Sequence, residues 1–392
     1  ASMSVFTFLG MTTVYANDIT EITAPTGFGA VLRLVPLILV LALLFLKVDM
    51  IIAGIIAAIV AVVIGGISIF ELNTQVLAAI PQMLTITVPI VNSAIATAVI
   101  RAGSYTASLN LVNKATKGKL EYVAGFVVLL MGLATYMSGI GGGSAMVIAP
   151  LAFAAVGAVP EVIVGMSIAA AVSFTTSPAS LETSIASQLA GFEVGVYVDA
   201  MRPYWMLFLA LAVIIAFVGT KRRKVTLDNR EESEFDKMSM GELAKYTIPA
   251  VFLLFAVIVG PIINGFVGLP LFTPLNYMIV TMILVVLFTK QNTNETFSSL
   301  VDGSSYILTR LFQVGIFLGF INVIAQTGAF AVIANVARDV PTAVVVPVSV
   351  IAGFLIGVPA GAYVGSILAL VLPVGIALGF SPLAVGFVTM GV

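Results

Sequence analysis

The 392-residue chain has no cysteine, no histidine and one tryptophan, and only 9% of its residues are charged. Without cysteine there is no disulfide, no thiolate nucleophile and no cysteine metal site. Without histidine the most usual proton relay and the most usual zinc ligand are missing. An intramembrane protease of the histidine type is excluded, and the few aspartates fall near the ends of apolar runs rather than inside them. Any proton coupling therefore needs carboxylates or water held at the site. Seventeen basic and eighteen acidic side chains leave a net charge of −1, so nothing points to nucleic acid.

What takes the place of charge is apolar surface. Sixty percent of the residues are hydrophobic and the mean hydropathy is +1.17. Soluble domains carry about 25% charge. Several apolar runs reach the roughly 20 residues that cross a bilayer as a helix. The expected class is an all-α polytopic membrane protein embedded in lipid; a β-barrel would show short alternating segments instead. Candidate spans cover 28–46, 49–69, 83–103, 121–137, 145–158, 161–190, 199–219, 243–264, 271–289, 305–327, 341–358, 366–379 and 382 onward. Two of these, 145–158 and 366–379, are too short to cross alone, and 161–190 is too long for one straight helix.

Two stretches interrupt the apolar pattern. Ser138-Gly139-Ile140-Gly141-Gly142-Gly143-Ser144 is followed, after an apolar run, by Ser173-Phe174-Thr175-Thr176-Ser177-Pro178-Ala179-Ser180. Backbone freed from a helix inside a bilayer survives only where it is buried in protein or lines a cavity. Broken helices at that depth point to a binding site. Helix N-termini offer unpaired N–H groups and partial positive charge, which favours an anion, above all a carboxylate. Helix C-terminal carbonyls in the same breaks suit Na⁺. The candidate substrate ligands are Gly141, Gly142, Gly143, Ser144, Ser173, Thr175, Thr176, Ser177, Pro178 and Ser180. Ser144, Thr175 and Ser177 are also candidate Na⁺ ligands. No other cofactor is expected.

The chain divides into an N-terminal segment (1–24), a first half (25–219), a hydrophilic linker (220–242) and a second half (243–392). The linker opens on Lys221-Arg222-Arg223-Lys224, which marks the cytoplasmic side. The halves resemble each other. Gly103, Tyr105 and Asn110 reappear as Gly328, Phe330 and Asn335; Gly143-Ser144 reappears as Gly365-Ser366, and Pro160 as Pro382. Placing Lys47, Lys114, Lys117, Lys119, the 221–224 cluster and Lys290 inside makes the repeats oppositely oriented, the plan of many secondary carriers. Residues 121–158 and 341–379 then form re-entrant hairpins with tips at 138–144 and 358–363. Asn322, in the span before the second hairpin, either faces the site as a candidate ligand or packs. The same alignment maps Val392 to about residue 170, so a counterpart of 173–219 is expected beyond it. Arg101 and Arg310 lie near span ends and read as anchors. Glu182 follows the second interruption, where it either titrates with transport or caps a helix.

Hairpin, broken helix, return span and basic linker, then the same inverted, resemble the ion transporter superfamily. That group includes DcuC-type C4-dicarboxylate carriers, gluconate permeases and citrate–metal carriers. The likeness to DcuC-type carriers is closest over 139–224, with VGMSIAAAVSFTTSPASLETSIASQLAG its most telling part, and extends more loosely over 305–392. It implies a multi-pass protein of the cell inner membrane and a homodimer with a scaffold plus an elevator-type transport domain. It also implies secondary transport of di- or tricarboxylates coupled to Na⁺ or H⁺, with no enzymatic activity. In that family the glycine/serine tip and the proline-containing break bind the carboxylate, a role the resemblance carries to Gly141–Ser144 and Ser173–Ser180 and, in the second half, to Gly361, Gly365 and Ser366, with Tyr363 beside them. The second tip departs from the pattern: Pro359-Ala360-Gly361-Ala362-Tyr363 offers fewer hydroxyls. The alternative is a cation/proton antiporter of the same superfamily, which would use a mid-span carboxylate.

Overall fold

The computed structural model describes residues 27–139, 141–223, 234–337, 340–360 and 364–391. Within these residues the chain is all-helical, 85% helix with no strands. In order the helices are α1 (Phe28–Phe45), α2 (Met50–Gly65), α3 (Ile69–Leu84), α4 (Thr87–Arg101), α5 (Ser104–Ala115), α6 (Leu120–Ser138) and α7 (Gly141–Val156). There follow α8 (Pro160–Thr176), α9 (Leu181–Ala190), α10 (Val194–Arg223), α11 (Glu234–Lys237), α12 (Met240–Ile258) and α13 (Gly260–Val267). The last are α14 (Pro274–Phe288), α15 (Thr293–Gln326), α16 (Ala329–Ala337), α17 (Thr342–Ala360), α18 (Val364–Ala377) and α19 (Pro382–Gly391).

Six spans among the described residues are long and apolar enough to cross a membrane, or seven if the bent pair α3–α4 counts as one. Large apolar side chains stand exposed on these spans (Phe28, Leu207 and Ile214) and on the shorter apolar helices (Val63, Ile283, Leu287 and Val348). Soluble monomers rarely expose apolar patches beyond a few hundred Å², whereas lipid accepts them without penalty. The chain is a multi-pass membrane protein.

Two compact units make up the fold. One comprises the chain up to Ile86, Glu182–Met201 and Leu308 onward. Its first core joins α1 and α2 to the C-terminal part of α15 and to α16. Ala53, Ala57 and Ala61 recur every four residues and are fully buried beside Val40, Leu44, Phe317 and Phe330. Small residues at that spacing let membrane helices approach closely. Gly315 and Gly319 of α15 do the same against α3: an added Cβ would lie 2.9 Å from Ile80 Cα and 2.5 Å from Val76 Cα. Arg33 of α1 donates to the Thr327 carbonyl at 2.6 Å, a cation on the negative end of α15. A second core in this unit gathers Ala186, Tyr197, Met201, Leu368, Leu372, Val385 and Val388.

The other unit comprises Thr87–Leu181 and Arg202–Ile307. Here α6, α7 and α8 pack with the C-terminal part of α10, and α4, α5, α12 and α14 complete the bundle. Ser93 donates to the Gly303 carbonyl at 2.6 Å, and the buried Tyr277 hydroxyl donates to Asn92 Oδ1 at 2.5 Å. Ser239 and Glu242 cap α12 reciprocally.

Several expected spans change extent. The 83–103 segment begins at Thr87 and follows an amphipathic helix, α3, that hydropathy alone passes over because Glu71, Asn73, Gln75 and Gln82 interrupt it. Pro261, in the first turn of α13, splits the expected 243–264 span after Ile258, because a proline needs no amide partner there. The 305–327 span starts twelve residues earlier, at Thr293. Asn292 Oδ1 accepts from the Glu295 amide at 2.9 Å while Glu295 accepts from the Asn292 amide at 3.0 Å, a reciprocal cap that starts the helix in polar sequence. Helix starts recur at similar offsets in the two halves: Leu120 and Thr342 are 222 residues apart, as are Pro160 and Pro382, while Gly141 and Val364 are 223 apart and Ser104 and Ala329 are 225 apart. Gly103 and Gly328 both adopt positive φ, at 79° and 83°.

The Tyr277–Asn92 bond gives a direct check on the second unit. Tyr277→Phe strands a buried amide oxygen, which costs about 1–3 kcal/mol. A clear fall in melting temperature of the detergent-purified protein is expected; an unchanged midpoint would show that the bond contributes nothing.

Candidate functional site

Both sequence interruptions are helix breaks, and they lie in the same unit. Helix α6 stops at Ser138, and Gly139 takes the left-handed conformation (φ 65°) with its amide donating to the Thr135 carbonyl at 2.9 Å. Residue 140 and the side chains of Gly141, Gly142, Gly143 and Ser144 lie outside the described residues. The backbone is helical again from Gly141, so the tip is shorter than 138–144.

The second break is also narrower than the motif that announces it. Ser173, Thr175 and Thr176 still belong to α8; only 177–180 leave the helix. Pro178 explains where it stops. A residue before proline is driven out of the α region, and Ser177 is extended, with φ −75° and ψ 139°. The threonines keep α8 helical to that point. Thr175 Oγ1 donates to the Ala171 carbonyl at 2.9 Å and Thr176 Oγ1 to the Val172 carbonyl at 2.7 Å.

Gly139 and Ala179 bring the breaks into contact. A Cβ on Gly139 would sit 1.9 Å from the Ala179 carbonyl oxygen and 2.8 Å from Ser180 Cα. Ser177 bridges the same junction: its hydroxyl donates to the Tyr136 carbonyl at 2.5 Å and accepts from the Ala179 amide at 2.9 Å. One side chain thus satisfies a carbonyl left by the end of α6 and an amide left by the end of α8. Ser177 and Ser180 are fully buried, and Pro178 is half-buried between them.

A third element closes the cluster. Trp205 of α10 donates from Nε1 to Ser173 Oγ at 2.9 Å, and its ring lies 4.2 Å from that of Tyr136, tilted by 32°. Sequence reading missed both aromatics, as it missed Thr135. The Thr135 hydroxyl, one turn before Gly139, is fully buried and has no hydrogen-bond partner among the described residues. Neither aromatic carries a local signal, because the contact joins positions 69 residues apart in sequence.

The polarity of the junction follows from these bonds. Thr175, Thr176 and Ser177 give their protons to carbonyls, which leaves their oxygens as acceptors. Two helix C-termini meet there, each a partial negative charge. Helices α7 and α9 begin within four residues of the same breaks, and their first amides have no partner inside their own helices. The junction therefore offers oxygen to a cation and N–H groups to an anion. Among the described residues no three acidic side chains come together. A cation held here would need hydroxyl and carbonyl oxygens.

The second-half candidates belong to the other unit. Gly361 and Tyr363 lie outside the described residues, as does the side chain of Ser366. Gly365 is buried in α18, and Asn322 is buried in α15, 5% exposed. A cavity of about 680 Å³ elsewhere in the second unit is lined by Arg101, Lys290, Gln291, Glu295, Ser298 and Ser299. It shares no residue with the junction. Arg101 there forms an ion pair with Asp302 at 2.7 Å, and Lys290 pairs with Glu234, whose hydrogen bond raises the lysine's affinity for its proton. No family model and no curated protein matches this chain.

Gly139 is the position where the junction is most easily broken. Gly139→Ala imposes a left-handed alanine and a backbone overlap together, and loss of the folded protein or a large drop in melting temperature is expected. Gly191→Ala, also at positive φ (73°) but with no atom within 4 Å of its Cβ, controls for conformation alone. Equal effects of the two would show that the Gly139–Ala179 contact is dispensable.

Proposed function

We propose that this protein is a secondary carrier for small organic anions, di- or tricarboxylates such as C4-dicarboxylates, coupled to Na⁺ or H⁺. The observation that carries the reading is the junction of two helix breaks at Gly139 and Ser177–Ser180, the second inside a 31-residue apolar span. A helix is not interrupted in lipid without a compensating use for the freed backbone. Carboxylate bound at the amide ends of α7 and α9, with Gly141–Ser144 and Ser180 around it, would have part of its charge neutralised by helix ends rather than by full cations. Na⁺, if it is the coupling ion, would take the oxygens of Ser144, Thr175 and Ser177.

The wider architecture belongs to the same proposal: two inverted repeats, a scaffold and an elevator-type moving domain in a homodimer of the inner membrane. The similar offsets of helix starts and the paired positive-φ glycines support the duplication. The resemblance to DcuC-type carriers supports the cargo. A cation/proton antiporter of the same architecture is the second reading. One observation favours it: Glu182 has no exposed surface although it lies within the 160–190 span.

Uptake of radiolabelled succinate by proteoliposomes separates the readings. The carrier reading expects saturable uptake, reduced more than tenfold by Gly142→Val and by Ser177→Ala while both variants remain folded. Because Trp205 is the sole tryptophan and is bonded to Ser173, its emission reports on the junction without a label. Succinate is expected to change that emission saturably. Na⁺-driven dye acidification with no succinate uptake and no change in emission would instead establish the antiporter.

A further inference from the structure

Glu182 is the second residue of α9, directly after the break that begins at Ser177. It belongs to the unit formed by α1–α3, α9 and the helices from Leu308 onward. Its side chain has no exposed surface. Its own helix is rich in hydroxyls. Thr183, Ser184 and Ser187 on its own helix are buried with it. From α10, Tyr197 lies within electrostatic reach of the carboxylate, and its hydroxyl bonds to Thr389 of α19. Thr389 passes the chain on, donating to the Val385 carbonyl at 2.8 Å. The hydroxyl pair Tyr197 and Thr389 lies beside an otherwise apolar core of Ala186, Met201, Leu368, Leu372 and Val388.

Ionisable groups of the same unit include Arg33 on α1, Glu193 between α9 and α10, and Arg310 on α15. Helices α17, α18 and α19 contribute no ionisable side chain from their described lengths. On α10 the acid of this unit is Asp199, which is exposed; α3, reached from α9 through Gln188 and the Gln82 carbonyl, carries Glu71, also exposed. Two influences oppose at such a position. An ionised carboxylate withdrawn from water is costly, and inside a membrane protein such groups recur as proton relays and ion sites. The first turn of a helix, in contrast, favours negative charge. A carboxyl group so balanced changes its protonation when a neighbouring charge arrives or leaves.

We propose that Glu182 is the proton-binding site of this carrier. It takes up one proton, forming the neutral acid, as the anionic cargo enters the adjoining break, and returns the proton to water on the opposite face. The proposal rests on the carrier reading and adds to it the identity of the coupling ion and of the group that holds it. Tyr197 and Thr389 form the hydroxyl pair that adjoins it.

Two measurements on the full chain in lipid test this, one of which needs no cargo. The infrared pH-difference spectrum is expected to contain a carboxylic acid C=O band that disappears in Glu182→Gln and returns, shifted, in Glu182→Asp. In proteoliposomes the wild type is expected to concentrate succinate when a pH gradient is imposed and to lose that ability with a protonophore. Glu182→Gln is expected to keep succinate exchange and lose pH-driven accumulation. An unchanged infrared band in Glu182→Gln, accumulation that survives in that variant, or accumulation in the wild type driven by Na⁺ alone would overturn the proposal. Loss of exchange and accumulation together, in a variant of unaltered melting temperature, would also overturn it in favour of a packing role. A Glu182 band in a protein that carries no succinate would refute the cargo and leave the proton site standing.

Discussion

Backbone hydrogen bonding in a medium without water is the constraint on which this structure depends. A helix that stops inside an apolar span leaves amides and carbonyls that cost several kcal/mol each if nothing meets them. Here two helices stop side by side and meet part of each other's need. Ser177 joins the Tyr136 carbonyl to the Ala179 amide, and the missing side chain at Gly139 lets the two chains touch. Everything proposed about binding is built on the hydroxyl and carbonyl oxygens gathered at that junction and on the leading amides of the helices that follow.

The presence of the breaks was legible in the residues, and their extent was not. Pro178 and Gly139 mark where the helices stop, and both fall within apolar sequence. The motif Ser173–Ser180 nonetheless reads as one unwound stretch. Its first four residues stay helical because Thr175 and Thr176 bond back to the preceding turn, a choice that composition does not reveal. Helix α3 and the polar start of α15 escaped for a related reason: hydropathy sees apolar runs, whereas these helices are set by caps and amphipathic spacing. The partners of the junction, Tyr136 and Trp205, come from helices far apart in the chain. Only packing assigns them.

The sparse charges are used in a consistent way. Arg33 closes the end of α15, and Arg223 binds both oxygens of Glu161 at 2.7 and 2.9 Å where the surface is open. Exposed pairs of that kind add at most about 1 kcal/mol, so their value lies in holding helix ends rather than in overall stability. Among the described residues, Glu182 differs from these in being a charged side chain with no exposed surface. That contrast, more than its place in a motif, makes it the residue to question about energy coupling.

The absence of cysteine allows the central claim to be tested without background. A single Ser144→Cys variant places one thiol at the start of α7, beside the junction. In sealed proteoliposomes a membrane-impermeant thiosulfonate is expected to label it, and saturating succinate is expected to protect it, because the freed backbone faces a water-accessible binding site. A thiol that stays unlabelled from both faces, or one labelled equally with and without every carboxylate tried, would contradict the account.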